Sequence, residues 1–458
     1  MKRILLTTAL LLLGAGAARG GDFADLYRDL PVPMTEPEAP SIPALQVSLT
    51  DFGGVGDGIT SNTEAFAKAI SRLSKQGGGH LIVPAGIWLT GPISLKDRID
   101  LHLERGAIVL FSPDKAEFVD ENGKIKGGIQ ASKRKDISIT GEGIIDGNGE
   151  WWRAVKRAKV SDVEWKNYLS LGGTQADGGK LWYPFQLKHF GDIAPDMKAQ
   201  EKLRTHLVKL SGCERVLIQG VTIQNSPKFH LVPRECRNVI IDGVTVRCPW
   251  NAQNGDGIDL MYCSDVLVTR CTVDVGDDGI CLKSGGGAAA LQYGPCQRIL
   301  VCDNTVFHAH GGFVIGSEFS AGIRDVVVRN NTFSGTDTGL RFKSAPGRGG
   351  KTERLFISDI VMSDISDAAI IFETTYVNVS VGETGHKEVT ENFLPDICGI
   401  DIQRVVCRDA RRGIVAKGDL RMIHDIRIGD STIFYTETAS EIDNPAMLSL
   451  ENVRLVTY

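Results

Sequence analysis

Three aspartates carry the clearest chemical signal in this chain. Asp256, in Asn254-Gly255-Asp256-Gly257-Ile258-Asp259, precedes by 21 positions the adjacent pair Asp277 and Asp278 in Val275-Gly276-Asp277-Asp278-Gly279. Carboxyl groups gathered in one patch resist full ionisation, which raises the pKa of at least one of them. A protonated carboxyl beside an ionised one is the equipment of general acid–base chemistry. On its own, Gly-Asp-Asp-Gly is as good a bend as a site, since Asp and Gly both favour turns. The catalytic reading therefore requires a fold that brings Asp256 back to the pair.

The spacing of basic residues adds to this. The chain is formally −5, which offers no general attraction to an acidic polymer and makes nucleic acid a poor partner. Locally the balance reverses: Thr338 to Thr352 holds Arg341, Lys343, Arg348 and Lys351 with no acid, Lys283 follows the Asp pair, and Lys228 and His230 follow Asn225-Ser226-Pro227. Arginine and lysine in such a place suit a carboxylate-bearing ligand, because a charge-assisted pair rewards an acid and not a neutral group. A short basic run with no site beside it is an ordinary solvated face. Asp259, His206 and His230 are further candidates on position.

The elements that would bring these residues together are legible as a repeat. Cys213-Glu-Arg-Val216-Leu-Ile218 is followed by Cys236-Arg-Asn-Val239-Ile-Ile241, Cys263-Ser-Asp-Val266-Leu-Val268, Cys296-Gln-Arg-Ile299-Leu-Val301 and Ile323-Arg-Asp-Val326-Val-Val328, restarting after 23, 27, 33 and 27 residues. Apolar alternation with a recurring length and Gly/Asn/Asp at the bends indicates stacked coils sharing one core. The expected fold is all-β, a single-stranded parallel β-helix of about ten coils. On such a coil the 21-residue gap is about one turn, so all three aspartates would face one patch.

Solenoids lengthen by adding coils, so 458 residues are compatible with one long domain over 48–458, and 52 glycines suit its many bends. Residues 1–20, with Met1-Lys2-Arg3 and an apolar run from Ile4 to about Ala18, read as a secretory signal peptide too short for a membrane span. No cysteine lies near the expected cleavage point, so no lipid anchor is expected and the protein is read as periplasmic or secreted, and as a monomer. Residues 21–47, punctuated by Pro31, Pro33, Pro37, Pro40 and Pro43, form an arm that should lie along the outside. Asn62 should cap a helix with Phe66, Ala69, Ile70 and Leu73 on one face, ending at Gly77-Gly78-Gly79 and covering the first coil. Cys213, Cys236, Cys263 and Cys296 recur at one place in successive coils, a row about 4.8 Å apart whose parallel Cβ vectors suit buried thiols better than disulfides. No Cys-x-x-Cys occurs and the nine histidines do not cluster with the cysteines, which argues against a zinc site.

Several segments also resemble a known family. Asp51-Phe52-Gly53-Gly54-Val55-Gly56-Asp57-Gly58, the stretch Ile139 to Gly149 with Trp151-Trp152, and Asn225-Ser226-Pro227 are similar to polygalacturonases of glycoside hydrolase family 28. In the family's order, Asn254-Gly255-Asp256 resembles its Asn-Thr-Asp, Gly276-Asp277-Asp278 its Asp-Asp, Ala309-His310-Gly311 its Gly-His-Gly, and Arg341-Phe342-Lys343 its Arg-Ile-Lys. The resemblance implies a right-handed helix that hydrolyses α-galacturonosyl bonds of pectin with inversion and without a metal or other cofactor. It implies Asp277 as general acid, Asp256 and Asp278 as holders and activators of water, and His310 as the group that tunes the acid. Arg341 and Lys343 would hold a substrate carboxylate, with Tyr376 and Asn254 beside the substrate. Gly255, Ala309 and Phe342 depart from the family pattern without removing a reactive side chain.

Inversion asks for carboxyls roughly 6.5 to 9.5 Å apart, a span that adjacent aspartates need not give and that Asp256 widens. The delayed repeat at Ser284 to Pro295 is read as an insertion walling one end of the cleft, as in exo-acting members. The expected partner is an acidic plant polysaccharide or oligogalacturonide, and a galacturonate–rhamnose backbone is the rival substrate. The rival classes are a calcium-dependent pectate lyase, for which Asp256, Asp259, Asp277 and Asp278 supply oxygens, and a non-catalytic β-helix adhesin. A chelator and the absence of an ultraviolet-absorbing product separate the first, and turnover separates the second.

Overall fold

A computed structural model describes residues 23–185, 197–376 and 393–458. Residues 1–22, the expected signal peptide and the first residues of the arm, lie outside it. Twenty-nine strands join in one continuous sheet, with the coil strands pairing in parallel, and wind as a right-handed parallel β-helix. Three rows of strands run its length. The first row shows the sequence repeat residue for residue: Val216 pairs with Val239, Val239 with Val266, Val266 with Ile299, and Ile299 with Val326. These side chains point inward and are buried, and Ile218, Ile241, Val268 and Val301 lie beside them.

The third residue of each repeat bends the row. Arg215, Asn238, Asp265, Arg298, Asp325 and Arg354 all have φ between 51° and 59°, the left-handed region that costs a residue with a Cβ roughly 1 kcal/mol. Stacking places them in register, and two-pronged ion pairs join Arg298 to Asp265 and Arg354 to Asp325 across coils. Each pair offsets part of the strain at the two positions it joins.

The cysteine row stacks as expected. Cys213, Cys236, Cys263 and Cys296 are buried, and all ten cysteines carry free thiols. Cys236, Cys263 and Cys296 each donate to a carbonyl one coil back, those of Leu210, Pro233 and Leu260. Burial pushes the Cys296 thiol up to about 12.

The arm runs along the first row, where Phe23 and Val32 cover the outward-facing Leu217, Ile240, Leu267, Leu300 and Val327. Its last residues belong to the sheet, since Gln46–Ser48 pairs with the strand Gly79–Val83. The helix Thr63–Lys75 buries Phe66, Ala69, Ile70 and Leu73 against the core of the first strands. Asn62 precedes it without capping it: its amide side chain bonds Val55, Thr60 and Leu89 instead, tying the helix start to the loop before it.

The coil is not uninterrupted from residue 48 onward. After Ile144–Asp146 the chain leaves it to form a three-stranded antiparallel sheet, Val155–Lys156, Thr174–Ala176 and Leu181–Tyr183, and the helices Asp162–Ser170 and Met197–Leu203. It rejoins at Val208–Ser211. Ser161 and Glu164 close a capping box at the start of the first helix, a signal present in Ser161-Asp-Val-Glu164. This excursion lies where the structure differs most from an all-coil reading, and it reaches the site described next.

Candidate active site

The third row carries the polar cluster. Leu231–Arg234, Ile258–Met261, Asp278–Lys283, Gly311–Gly316, Thr338–Lys343 and Ile365–Glu373 stack side by side. Alternation along these strands turns Ile258, Ile280, Phe313 and Leu340 into the core. Their neighbours Asp259, Cys281, Val314 and Arg341 align across the coils on the opposite face. The 21-residue gap is therefore one coil, and it sets Asp256 and Asp259 one strand from Asp277 and Asp278.

Glycines permit this approach. A Cβ on Gly276 would stand 2.6 Å from the Ala252 carbonyl, so the Asn254 loop can close on Asp277 only with glycine there. The departure at Gly255 has a physical account too, because a Cβ there would meet the Cys248 sulfur at 2.8 Å. Cys248 fills space that a threonine side chain would need.

Basic side chains meet each of the four carboxylates. Asp259 accepts from Lys283 Nζ, which also reaches Asp256 Oδ2 at 3.3 Å. Asp278 Oδ2 accepts from Lys343 Nζ at 2.7 Å, with Arg341 3.7 Å from Oδ1. Asp277 Oδ1 lies 3.0 Å from His310 Nδ1 and accepts from the Asp278 backbone N–H at 3.1 Å. One oxygen each of Asp256, Asp259 and Asp278 is buried with no hydrogen-bond partner among the described residues. Unsatisfied buried acceptors are rare, and each of these has capacity to accept from a hydroxyl.

Burial and the neighbouring Asp277 and Asp259 raise Asp256 well above the usual carboxylate range. Burial likewise raises Asp259, to about 6, against the pull of Lys283. For Asp278 burial acts upward, and Lys343 with Arg341 and Lys283 more than reverses it. Asp277 is also held below the usual range, the upward push of burial being outweighed by His310, Lys343 and Lys159. The free site thus keeps its proton on the Asp256 side, whereas the resemblance assigns the acid proton to Asp277. Lys159 Nζ stands 3.0 Å from His310 Nε2 and donates to the Gly276 carbonyl at 3.2 Å.

Other expected residues fall into two groups. Arg341 and Lys343 lie over the ring of Tyr376, at 5.5 and 5.1 Å, so these three form one face beside Asp278. Asn254 is half-buried, its side-chain oxygen accepting from Arg204 at 3.3 Å. Lys283, expected beside the substrate, is buried and paired with Asp259 and Asp256. Arg348 pairs with Glu318 at 3.9 Å and donates to Ser317 Oγ at 3.3 Å. Lys228 lies half-buried over Phe229, close enough for Asp256 to act on its charge but without an ion pair to it.

His230 is fully buried and donates through Nδ1 to the Asp256 carbonyl at 2.8 Å, accepting at Nε2 from Ser226 N–H. Burial lowers its pKa to about 4, so it supports the Asp256 loop as a neutral ring. His206 packs on Phe229 at 4.8 Å between ring centres. Two residues gave no signal in the sequence reading. One is Lys159, and the other is Arg204, which holds the loop through Pro227, Gln253 and Asn254. Both come from the excursion or its end, so coil spacing does not reveal them.

Comparisons with known proteins identify the family. Residues 170–449 match the model of glycosyl hydrolases family 28. An exo-poly-alpha-D-galacturonosidase of Dickeya chrysanthemi is 31% identical over 349 residues, 72% of this chain and 57% of that protein, so the chain spans little more than half of that relative. A Vitis vinifera protein named "Probable polygalacturonase" is 32% identical over 393 residues, 82% of this chain and 71% of that protein. Among solved structures, a hyperthermoactive exopolygalacturonase from Thermotoga maritima is similar over 92% of this chain and 94% of that one, with a TM-score of 0.74 and 31% identity. The chain therefore belongs to glycoside hydrolase family 28.

Proposed function

We propose that the protein hydrolyses α-galacturonosyl linkages of pectin, acting from a chain end. The observation that carries this is the buried carboxylate cluster with unpartnered oxygens, flanked on one side by Arg341, Lys343 and Tyr376. Such a cluster can transfer protons at a glycosidic oxygen and to or from water, and the cationic face beside it suits a uronate carboxylate.

In this reading Asp277 is the general acid. Its Oδ1 is taken up by His310 and the Asp278 N–H, which leaves Oδ2 to carry the proton to the leaving oxygen as the glycosidic C–O bond breaks. Asp278, kept ionised by Lys343 and Arg341, takes the proton of the attacking water. Asp277 and Asp278 present oxygens within 4.8 Å of each other, less than the roughly 6.5 to 9.5 Å that admits a water between acid and base. The water is therefore assigned to the Asp256 side, one coil back, and the anomeric configuration inverts.

Exo action is supported by the names of the Dickeya and Thermotoga proteins. The bend at 284–295 forms a short helix, Ala288–Tyr293, whose Tyr293 packs on Tyr262 with Arg234 over both rings. This gives the expected wall a fixed shape. The apolar leader supports export, and among the described residues no helix is long and apolar enough to cross a membrane. The protein is expected in the periplasm or medium, cleaved near Ala18.

The test is the time course of products from polygalacturonate and from rhamnogalacturonan, with the anomer of the first product read by NMR. Monogalacturonate from the earliest time points, released as the inverted anomer, is the expected outcome. A ladder of intermediate oligomers sinks exo action, and turnover confined to the rhamnose-containing backbone moves the substrate. An unsaturated product replaces hydrolysis by elimination.

A further inference from the structure

The excursion from the coil places one side chain in the heart of the site. Lys159 ends the single turn Arg157–Lys159, which follows the strand Val155–Lys156 and is anchored where Arg157 N–H meets the Lys180 carbonyl. Behind it Val160, Trp165 and Trp182 form a small core of their own. The lysine is therefore presented from a built platform, and its ammonium is steadied by the Gly276 carbonyl at 3.2 Å.

An ammonium has only protons to offer. Its contact with His310 Nε2 at 3.0 Å therefore requires a lone pair on that nitrogen. The single ring proton then lies on Nδ1, where it is donated to Asp277 Oδ1 at 3.0 Å. We propose that Lys159 is a positioning residue that holds His310 in its neutral, Nδ1-protonated form, so that the acid proton resides on Asp277 and not on the imidazole. This deepens the hydrolytic reading above and rests on it.

The need for such a device follows from what faces His310. Asp277 comes from the coil before and Asp337, 3.9 Å from Nε2, from the coil after. Arg341 and Lys343 act on the far side of the aspartate pair, and Lys156 and Lys159 approach from the inserted sheet. Between two carboxylates an unopposed imidazole takes up a proton and becomes an imidazolium. An imidazolium against Asp277 strips that carboxyl of the proton it must donate, and a general acid without its proton does no work. Lys159 puts a positive charge at the nitrogen that would otherwise be protonated.

The experiment compares wild type, Lys159→Met and Lys159→Arg. In Lys159→Met the pair of groups retains its proton to higher pH, because a cation has been removed, but that proton sits on His310. The expected result is a plateau kcat on oligogalacturonide lower by about tenfold or more, with the alkaline limb of the profile moved upward by about one pH unit. Lys159→Arg restores the cation and should keep the wild-type limb.

The ring is read directly by ¹⁵N NMR of histidine-labelled protein at pH 6.5, where wild type should show His310 as the neutral Nδ1–H form and Lys159→Met as imidazolium. A neutral His310 in Lys159→Met, or a limb that does not move, overturns the proposal. So does a rise in KM alone, which would make Lys159 a substrate ligand. If wild type turns over no galacturonide, the hydrolytic reading fails by itself, and the NMR comparison still decides the state of His310.

Discussion

Lys283 offers the sharpest separation between a substrate ligand and a buried counter-ion. Its ammonium is buried and bonded to Asp259 and Asp256. Replacing it by methionine keeps the stem and leaves two carboxylates with no cation of their own. Even with Lys283 in place, the shift of Asp259 from 3.8 to about 6 already represents ~3 kcal/mol disfavouring the ionised form in the folded protein. Losing one partner of a buried pair costs a further ~3–5 kcal/mol. The sign of the pH dependence follows from the raised folded pKa. A carboxyl raised on folding favours the folded state most below its unfolded pKa, and that advantage is lost as pH rises through the folded value. Without Lys283 both carboxyls rise further, so the penalty is full at pH 8 and mostly relieved by about pH 4.5, where the folded protein holds them protonated. In a chain of this length the loss at pH 8 should lower Tm by about 5 °C, against less than about 2 °C at pH 4.5. Melting curves of wild type and Lys283→Met at the two pH values test this, together with kcat and KM. An equal Tm loss at both pH values would show that Lys283 acts only by packing, and a rise in KM with kcat intact would return it to the substrate.

The other expectations concern the remaining groups. Asp277→Asn should lower kcat by about 100- to 10,000-fold with the fold retained, and a variant above about a tenth of the wild-type rate removes Asp277 from the acid role. Arg341→Ala should chiefly raise KM, more on free galacturonate units than on methyl-esterified ones, since an ester cannot accept the charge-assisted pair. Lys343→Ala should chiefly lower kcat, because that ammonium is buried on Asp278 at 2.7 Å, and indistinguishable kcat and KM effects from the two variants would refute this division of labour. Thiol titration of unfolded, non-reduced protein should find all ten cysteines free, and any oxidised pair contradicts the stacked row.

The parts of the fold legible in the sequence are those that repeat. Val216, Val239, Val266, Ile299 and Val326 recur because each fills the same slot of the coil, and the spacing of Asp256 from Asp277 is readable for the same reason. Residues that reach the site from outside the coil leave no periodic trace, so Lys159 and Arg204 went unread. Only the Ser161–Glu164 capping box announces a helix in that stretch. Charge pairing is illegible for a different reason. A sequence shows that Lys283 and Arg348 are cations and not which carboxylate each meets, here Asp259 and Glu318. The Asn62 helix start is a similar case, correct in place and wrong in mechanism, because the loop around Val55 took the amide first.

The coil also explains how a chain can gather four carboxylates without unfolding around them. Asp259 is answered by Lys283 from the next strand, Asp277 by His310 from the strand after its own, and Asp278 by Lys343 from two strands on. The partners of these carboxylates therefore arrive from later strands of the stack. Lys159 is the exception in origin, arriving from a separate sheet to oppose the one nitrogen that no coil faces with a cation. Coil geometry fixes where the carboxylates stand, and the excursion fixes which of them holds the proton. If that division is right, changes in the inserted sheet that displace Lys159 should alter the pH profile while leaving substrate affinity in place, whereas changes at Arg341 should do the reverse.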